Sequence, residues 1–292
     1  LGFSDVKDSL TGAYRERDYC VQYRESDFNF VSRLMEEEGI HYFFRHESGR
    51  HVLVLADSQG AYSKIPGYDS IPYFPQDNEA RRNRDHLFVW SFTRKVKSGA
   101  YVLRDFDFET PRADLEIKSV CAKPHPKSDY ECFDYPGGYI KPDEGQSYVD
   151  NRLAEFQAQH EVFHGEGNVA GLGAGDLFKL TGHPRQDQNI EYLVTDNHFE
   201  MASNEYGPAT AVGGFEGYRC ALGGLPKSQT FRPARLTRKP FVQGPQTAIV
   251  VGKQGEEIWT DKYGRVKVKF HWDRSDERDE TCSCWIRVAH PW

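Results

Sequence analysis

The chain has 292 residues, a formal net charge of −7 at pH 7, 28% charged residues and 38% apolar residues. This length suits one large domain or two ordinary ones, and the acidic balance argues against general binding to nucleic acid or anionic membranes. No segment approaches the roughly 18 apolar residues of a membrane-spanning helix. The opening residues LGFSDVKDS lack the basic and apolar regions of a signal peptide, and the missing initiator Met favours a piece of a longer chain.

The first predicted elements are a helix and a pair of strands. The helix begins near Phe28, after the capping pair Ser26-Asp27, and ends at Gly39. Its apolar residues recur at the spacing of one inner helical face: Phe28, Val31, Leu34 and Met35. The next predicted strands are often aromatic and mostly short: Ile40–Phe44, His51–Ala56, His86–Arg94, Ala100–Phe108 and Ser119–Ala122.

A second helix is predicted over Gly145–Phe163, with Ser147 as a candidate cap at its start. Its expected inner stripe has helical spacing: Val149, Leu153, Phe156, His160 and Phe163. A glycine-rich passage, Gly165–Gly175, then leads into two further predicted strands: Leu177–Thr181 and Tyr192–Met201.

The remaining residues predict a connection followed by a small all-β part. Residues 213–240 carry Gly, Pro and polar side chains with weak periodicity, as domain linkers do. Beyond them, Ile258–Thr260 and Val266–Phe270 are predicted to form a hairpin around Tyr263-Gly264. In its second strand, apolar residues alternate with basic ones, the pattern of a half-buried strand with a charged outer face. The sequence therefore predicts a mainly β (α+β) chain divided into residues 1–212, 213–240 and 241–292.

A nucleotide-binding loop is a poor interpretation of Gly165–Gly175. Such a loop leaves a strand and enters a helix, whose first amides bind the phosphates. Here the passage leaves a predicted helix and enters a predicted strand, and no Lys-Ser/Thr pair follows as in a P-loop. We expect a turn built from glycines with positive φ.

Two groups of side chains are candidates for metal binding, and neither completes a site. Cys282 and Cys284 are separated by one residue, which in a strand places both sulfurs on one face instead of around an ion. His41 and His51 could be cross-strand neighbours near His46, but local spacing offers no third ligand. The six cysteines are few and irregularly spaced, which favours reduced thiols in a protein folded in the cytoplasm.

No catalytic signature of known spacing is present, so we predict no catalytic, cofactor-binding or metal residues, no cofactor and no enzymatic activity. A carboxylate pair of the glycosidase type stays open, because the distance between such residues is set in three dimensions. Glu36–Glu38 oppose the dipole of the first helix, which favours a solvated face or contact with a basic partner. A barrel that binds single-stranded nucleic acid through Arg265–Lys269 is a weaker alternative, because acidic residues crowd that region.

An ordered series of motifs along nearly the whole chain resembles one family. The series contains YCVQYRESDFNFVSRLMEEEGIHYFF (Tyr19–Phe44), FHGEGNVAGLGAGDLFKLTGHP (Phe163–Pro184), GPQTAIVVG (Gly244–Gly252), GEEIWTDKYGRVKVKFHWDR (Gly255–Arg274) and CSCWIRVAHPW (Cys282–Trp292). These motifs resemble VgrG proteins, the spike proteins of bacterial type VI secretion systems, which are similar to the hub and spike proteins of contractile phage tails. The chain is identified as a fragment of a member of that family.

The resemblance implies a fold and a set of partners. Residues 1–212 would be a phage-tail-hub-like domain with β-barrel-like parts, and residues 241–292 the beginning of an oligonucleotide-binding (OB)-type barrel. The family implies a homotrimer docked on the hexameric Hcp tube, a β-prism spike, a PAAR-type tip protein, effectors and mechanical piercing of a target membrane. It also implies assembly in the cytoplasm and secretion through the type VI apparatus into the medium or a target cell.

The chain departs from the family pattern at both ends. The resemblance predicts that roughly the first hundred residues of the hub are absent, and that the chain stops at Trp292 before the barrel closes and before any prism or effector domain. The alternative is a baseplate hub of a contractile phage tail or related injection particle. A cell-wall hydrolase with a carboxylate pair is a third hypothesis from a different class.

Overall fold

The computed structural model describes residues 2, 4–75, 84–202, 217–256 and 258–289. The regular structure of these residues is mainly β-strand with two α-helices, which confirms the predicted fold class. The strands in chain order are β1 (Val6–Ser9), β2 (His41–Glu47), β3 (Arg50–Ala56), β4 (Ser63–Lys64), β5 (Ser70–Pro72), β6 (Leu87–Arg94), β7 (Ala100–Arg104), β8 (Glu116–Val120), β9 (Glu131–Asp134), β10 (Glu161–Gly167), β11 (Asp176–Thr181), β12 (Glu191–Ala202), β13 (Gly217–Pro226), β14 (Ala248–Val251) and β15 (Lys267–Phe270). The helices are α1 (Asp27–Glu38) and α2 (Pro142–Ala158).

The chain divides into two compact units. The larger contains residues 1–12 and 34–236, and the smaller contains residues 13–33 and 237–292. The division differs from the predicted boundaries in that an early segment, 13–33, belongs with the C-terminal residues.

A seven-stranded sheet forms the centre of the larger unit. Its strands follow the order β4-β11-β12-β13-β10-β6, and β5 pairs with β11. A β-bridge between Tyr73, next to β5, and Leu87 of β6 joins the two ends of the sheet. The sheet therefore curves into a barrel-like structure, and its interior is filled by aromatic and aliphatic side chains such as Phe163, Phe178 and Tyr192.

Strand β13 shows that the predicted linker is wrong over Gly217–Pro226. This strand lies between β12 and β10 and pairs with both, and Leu222 is completely buried. Its glycines look like linker residues in the sequence, but they permit close packing. A Cβ at Gly224 would lie 2.0 Å from the carbonyl oxygen of Leu193.

Helix α1 begins as predicted, because Ser26 Oγ accepts a hydrogen bond of 3.2 Å from the Asn29 amide, and it ends at Gly39 with φ of +75°. Its predicted inner face is wrong at two positions: Phe28 is 62% exposed and Val31 is exposed too. The buried residues include Arg33, which pairs with Glu25 at 2.7 Å.

Helix α2 ends earlier than predicted. It covers Pro142–Ala158, and the residues that continue its helical spacing, His160 and Phe163, lie outside it. Phe163 belongs to β10 and packs in the barrel interior. The predicted cap is also wrong: Lys141 occupies the N-cap position with Pro142 following it.

Two smaller sheets complete the larger unit. The sheet β8-β7-β9 packs against α2 through a core that includes Tyr101, Leu103, Val149 and Leu153. The sheet β1-β3-β2 contains the predicted β2–β3 hairpin, with Gly49 at φ of +74° in its turn.

In the smaller unit, β15 pairs antiparallel with β14, not with Ile258–Thr260. The predicted hairpin is therefore wrong in its partner strand, since Ile258 is 81% exposed and lies outside any strand. Val266 instead bridges to Ile286. The OB-type barrel stays a prediction.

The passage Gly165–Gly175 is not a turn of positive-φ glycines. Within it only Gly175 has a positive φ, +89°. Two of the others are required by close packing: a Cβ at Gly167 would lie 2.2 Å from the carbonyl oxygen of His86, and one at Gly171 would lie 2.2 Å from the Tyr68 ring. The prediction was wrong about the cause because sequence alone does not show which atoms approach a glycine.

Candidate interaction surfaces

The histidines of the β2–β3 hairpin do not form the predicted pair. The register places His46 opposite His51, and their Nδ1 atoms are 2.8 Å apart, whereas His41 lies opposite Ala56. No cluster of three or more metal-ligating side chains is found among the described residues. The hairpin therefore offers a pair of hydrogen-bonded imidazoles and, next to it, one buried histidine.

His41 is a buried, neutral imidazole. It is 8% exposed, and its Nε2 accepts a hydrogen bond of 2.6 Å from the Tyr62 hydroxyl. Burial, together with the positive charge of Arg232, lowers the pKa of His41 to about 4. Burial also raises the pKa of Tyr62, which keeps its hydroxyl protonated as the donor.

Cys282 and Cys284 do not present their sulfurs on one face. Cys282 is buried and Cys284 is exposed, and Ser283 between them is buried as well. Neither cysteine lies in a strand of two or more residues. The assumption of strand geometry was therefore wrong.

The basic residues of β15, and Arg265 shortly before it, have partners within their own unit. Lys269 Nζ lies 3.0 Å from Asp273, Lys267 Nζ lies 5.1 Å from the ring centre of Trp285, and Arg265 pairs with Asp261 at 2.5 Å. These cations are largely shielded, which makes this strand a weaker contact surface than its alternation suggests and leaves it less suited to bind phosphates.

A buried ion pair connects β2 to the start of β11. Arg45 pairs with Asp176, which also accepts a hydrogen bond of 2.8 Å from the Gly173 amide. Burial raises the pKa of Asp176, and the interactions with Gly173 and Arg45 oppose that change. The pair fixes the hairpin sheet against the barrel within the larger unit.

A groove of 1200 Å³ lies beside this ion pair. We call it the hairpin groove; its walls come from β1, β2 and β12 and from the loop 170–174. Three large exposed apolar side chains line it: Val6, Phe44 and Phe199, of which Phe44 is 47% and Phe199 is 59% exposed. Exposed apolar side chains that share one surface are typical of binding sites between proteins. The sequence did not reveal this groove, because Arg45 and Asp176 are 131 residues apart.

The model of one protein family covers most of the chain. Residues 2–205 match the phage tail baseplate hub (GPD) family. The chain belongs to this family. We call it the hub chain. The match includes the hairpin sheet and most of the barrel strands of the larger unit, and also residues 13–33 of the smaller unit.

The hub chain is also similar to spike proteins of Pseudomonas aeruginosa. It is 51% identical to type VI secretion system spike protein VgrG1a over 292 residues, and 50% identical to VgrG1b over 293 residues. It spans 45% and 39% of the lengths of these two relatives. The predicted resemblance to VgrG proteins is confirmed, and so is the expectation that the chain matches only part of such a protein.

Solved structures share the fold. An E. coli component of the type VI secretion system, described as similar to bacteriophage T4 tail proteins gp27 and gp5, aligns with a TM-score of 0.57 at 17% identity. The alignment covers 96% of the hub chain and 59% of that protein. A 43 kDa prophage tail protein of Shewanella oneidensis aligns with a TM-score of 0.50 at 8% identity. This alignment covers 77% of the hub chain and 61% of the prophage protein. In the described part of the hub chain, neither helix has the length and apolar character needed to span a bilayer.

Proposed function

We propose that the hub chain is a structural part of a trimeric, membrane-puncturing type VI secretion spike that delivers effectors. The observation that carries this proposal is the 51% identity to VgrG1a over all 292 residues. In this proposal the hub docks on the Hcp tube, and the assembled spike carries a PAAR-type tip protein and effectors. The contact with the target membrane is mechanical, and nucleic acid is not a partner.

The proposed role requires no catalysis and no cofactor. A spike transmits force, so its residues serve folding and assembly. The proposed route is assembly in the cytoplasm, followed by secretion through the type VI apparatus. Muramidase or amidase activity that a single Asp or Glu substitution abolishes would contradict the non-enzymatic role.

The hairpin groove supports self-association. Its exposed side chains Val6, Phe44 and Phe199 are large and apolar, and burying such surface against a second copy stabilises an assembly by about 25 cal/mol per Å². We therefore include the hairpin groove in the proposed contact between copies of the hub chain.

Light scattering tests the trimer. We expect a mass three times that of one chain at micromolar concentration, and co-sedimentation with assembled Hcp tubes. A stable monomer under these conditions would overturn the proposal.

The alternative is the hub of a contractile phage tail or related injection particle, which the match to the baseplate hub family favours equally. Neighbouring genes separate the two: secretion genes support the spike, and tail genes support the virion.

A further inference from the structure

A second pocket, separate from the hairpin groove, lies at the C-terminal end of β6. It has a volume of 340 Å³. Its walls come from the end of β6, the loop after β8, the start of β10 and the residues after β13. His125 and His160 both line it, with ring centres 5.2 Å apart and planes inclined by 36°. We call it the two-histidine pocket.

The hydrogen bonds of the two rings fix where each carries its proton. His160 Nδ1 lies 2.8 Å from the carbonyl oxygen of Lys95, and His125 Nδ1 lies 3.0 Å from that of Pro126. A carbonyl oxygen only accepts, so each Nδ1 carries the hydrogen in the neutral ring. Each Nε2 is left to take a ligand or a proton, and Nε2 of His125 is buried without a hydrogen-bond partner. A buried unpartnered polar atom is costly unless a further group satisfies it.

The charges around the two-histidine pocket favour an anion. Lys95 and Lys123 line the pocket, and within the described part of the chain neither ammonium group has an ion-pair partner. Arg94 also lines it but is neutralised by Glu161, whose Oε2 lies 2.8 Å from the Arg94 Nε. The lining thus has two uncompensated positive charges. They disfavour a metal cation, for which the described residues also offer no cluster of three ligands.

The backbone around His160 is held in place before any ligand binds. The amide of Lys95 donates to the carbonyl oxygen of His160 at 2.8 Å. The buried Gln229 side chain donates to the carbonyl oxygens of Ala158 at 2.8 Å and Glu161 at 3.1 Å, on either side of His160. A site with a fixed lining loses less conformational freedom on binding, which favours affinity.

We propose that the two-histidine pocket binds a phosphate-type oxyanion, with Lys95, Lys123 and the Nε2 atoms of His125 and His160 as its partners. The anion favours the protonated imidazoles. Each incoming proton comes from solvent and goes to Nε2, which changes from an acceptor into a donor toward the anion. The bond between each Nδ1 and its backbone carbonyl is retained in both states.

The pocket has room for more than an isolated ion, so the phosphate group could be free or attached to a small organic molecule. Inorganic phosphate and glycerol 3-phosphate are the probes for these two sources. Tighter binding of glycerol 3-phosphate identifies a phosphate ester as the better ligand, and equal binding identifies the free ion. Sulfate tests the effect of pH, because it remains a dianion at neutral and mildly acidic pH.

The test follows the Cε1–H signals of His125 and His160 in the complete 292-residue chain by nuclear magnetic resonance. The signals are assigned with His125→Gln and His160→Gln. We expect saturable shifts of both signals with phosphate, and at least fivefold tighter sulfate binding at pH 6 than at pH 8. Lys123→Gln should weaken binding at least fivefold. Lys118→Gln, which removes the same charge from an ion pair on β8, should leave binding unchanged.

Three results of the phosphate and sulfate experiments would overturn the proposal. They are the absence of a saturable shift, equal weakening by Lys123→Gln and Lys118→Gln, and sulfate affinity that is the same at both pH values. Saturable binding of Zn²⁺ without binding of phosphate would also overturn it, because the pocket would then be a cation site. None of these results depends on the oligomeric state, so they leave the proposed spike function to its own test.

Discussion

His41 couples the stability of the larger unit to pH. Its pKa is lowered from 6.5 to about 4, mainly by burial, so the folded chain resists a proton that the unfolded chain takes up. Stability is therefore fully present above pH 6.5 and is lost as pH falls toward 4. Since one pKa unit corresponds to about 1.4 kcal/mol, this residue removes about 2.5 kcal/mol of the free energy of unfolding between pH 7.5 and 4.5.

His41→Gln should flatten that dependence. The Gln side chain keeps an acceptor for the Tyr62 hydroxyl and cannot titrate. The free energy of unfolding in urea should therefore change less between pH 7.5 and pH 4.5 in this variant than in the parent chain, by about 2.5 kcal/mol. His198→Gln is the control, because His198 is exposed on β12. An unchanged pH dependence in His41→Gln would show that His41 is not held neutral.

Gly167 and Gly173 differ in what a methyl group would meet. A Cβ at Gly167 would lie 2.2 Å from a backbone oxygen of His86, whereas at Gly173 the nearest atom is the Asp176 carboxylate at 3.7 Å. Gly167→Ala should lower the free energy of unfolding by about 1–3 kcal/mol, because the backbone of β6 or β10 has to move. Gly173→Ala should stay within about 0.5 kcal/mol. Urea unfolding of both variants checks this, and equal effects would contradict it.

At the scale of elements, the C-terminus of α1 is completed by α2. Three acidic residues, Glu36–Glu38, occupy the last turn of α1, where they oppose the helix dipole. Asn151 donates to the carbonyl oxygen of Glu38 at 3.0 Å, and Arg152 donates to that of Glu36 at 2.8 Å. α2 thus supplies donors to the carbonyl groups at the end of α1, and contact of the three carboxylates with a basic partner stays a prediction.

Arg152→Met should destabilise the larger unit strongly. Arg152 is 3% exposed and pairs with Glu155, and burial lowers its pKa to about 10, which still leaves it charged at neutral pH. Without the Arg152 guanidinium, the Glu155 carboxylate loses its ion-pair partner and the Glu36 carbonyl oxygen loses this donor. We therefore expect the free energy of unfolding, measured in urea, to fall by about 3 kcal/mol.

Two further variants separate the causes of that loss. Arg152→Met combined with Glu155→Leu should recover part of the stability, because no buried charge is left unpaired. Arg104→Met, in an exposed pair with Glu116, should cost less than about 1 kcal/mol. Similar losses for Arg152→Met and Arg104→Met would show that the α1–α2 contact is not important.

The sequence predicts elements best where the signals are local. The start and end of α1 follow from Ser26 and Gly39, because a cap and a positive-φ glycine act within one turn. The sequence predicts a linker where β13 lies, because the packing that requires its glycines comes from strands that are distant in sequence. The predicted partner of β15 is wrong for the same reason, because β14 is more distant from β15 in sequence than Ile258–Thr260 is. The two-histidine pocket combines four segments, so no local pattern could predict it.

At the scale of the whole molecule, assembly should depend on the hairpin groove. Phe44 and Phe199 are exposed in the hub chain, and water-exposed phenylalanines in one groove are costly unless another surface covers them. Replacing both with Asp should convert the trimer proposed for the hub chain into monomers at micromolar concentration in light scattering. The folded state should persist, because neither side chain is buried in a core.

Phe133 provides the matched control for that experiment. It is 56% exposed on β9, lies outside the hairpin groove, and has the same size and chemistry as Phe44. Phe133→Asp should therefore leave the oligomeric mass unchanged if the hairpin groove is the contact between copies. If Phe133→Asp lost the assembly and the Phe44/Phe199 double variant retained it, the copies would contact each other through the sheet β8-β7-β9 and not through the hairpin groove.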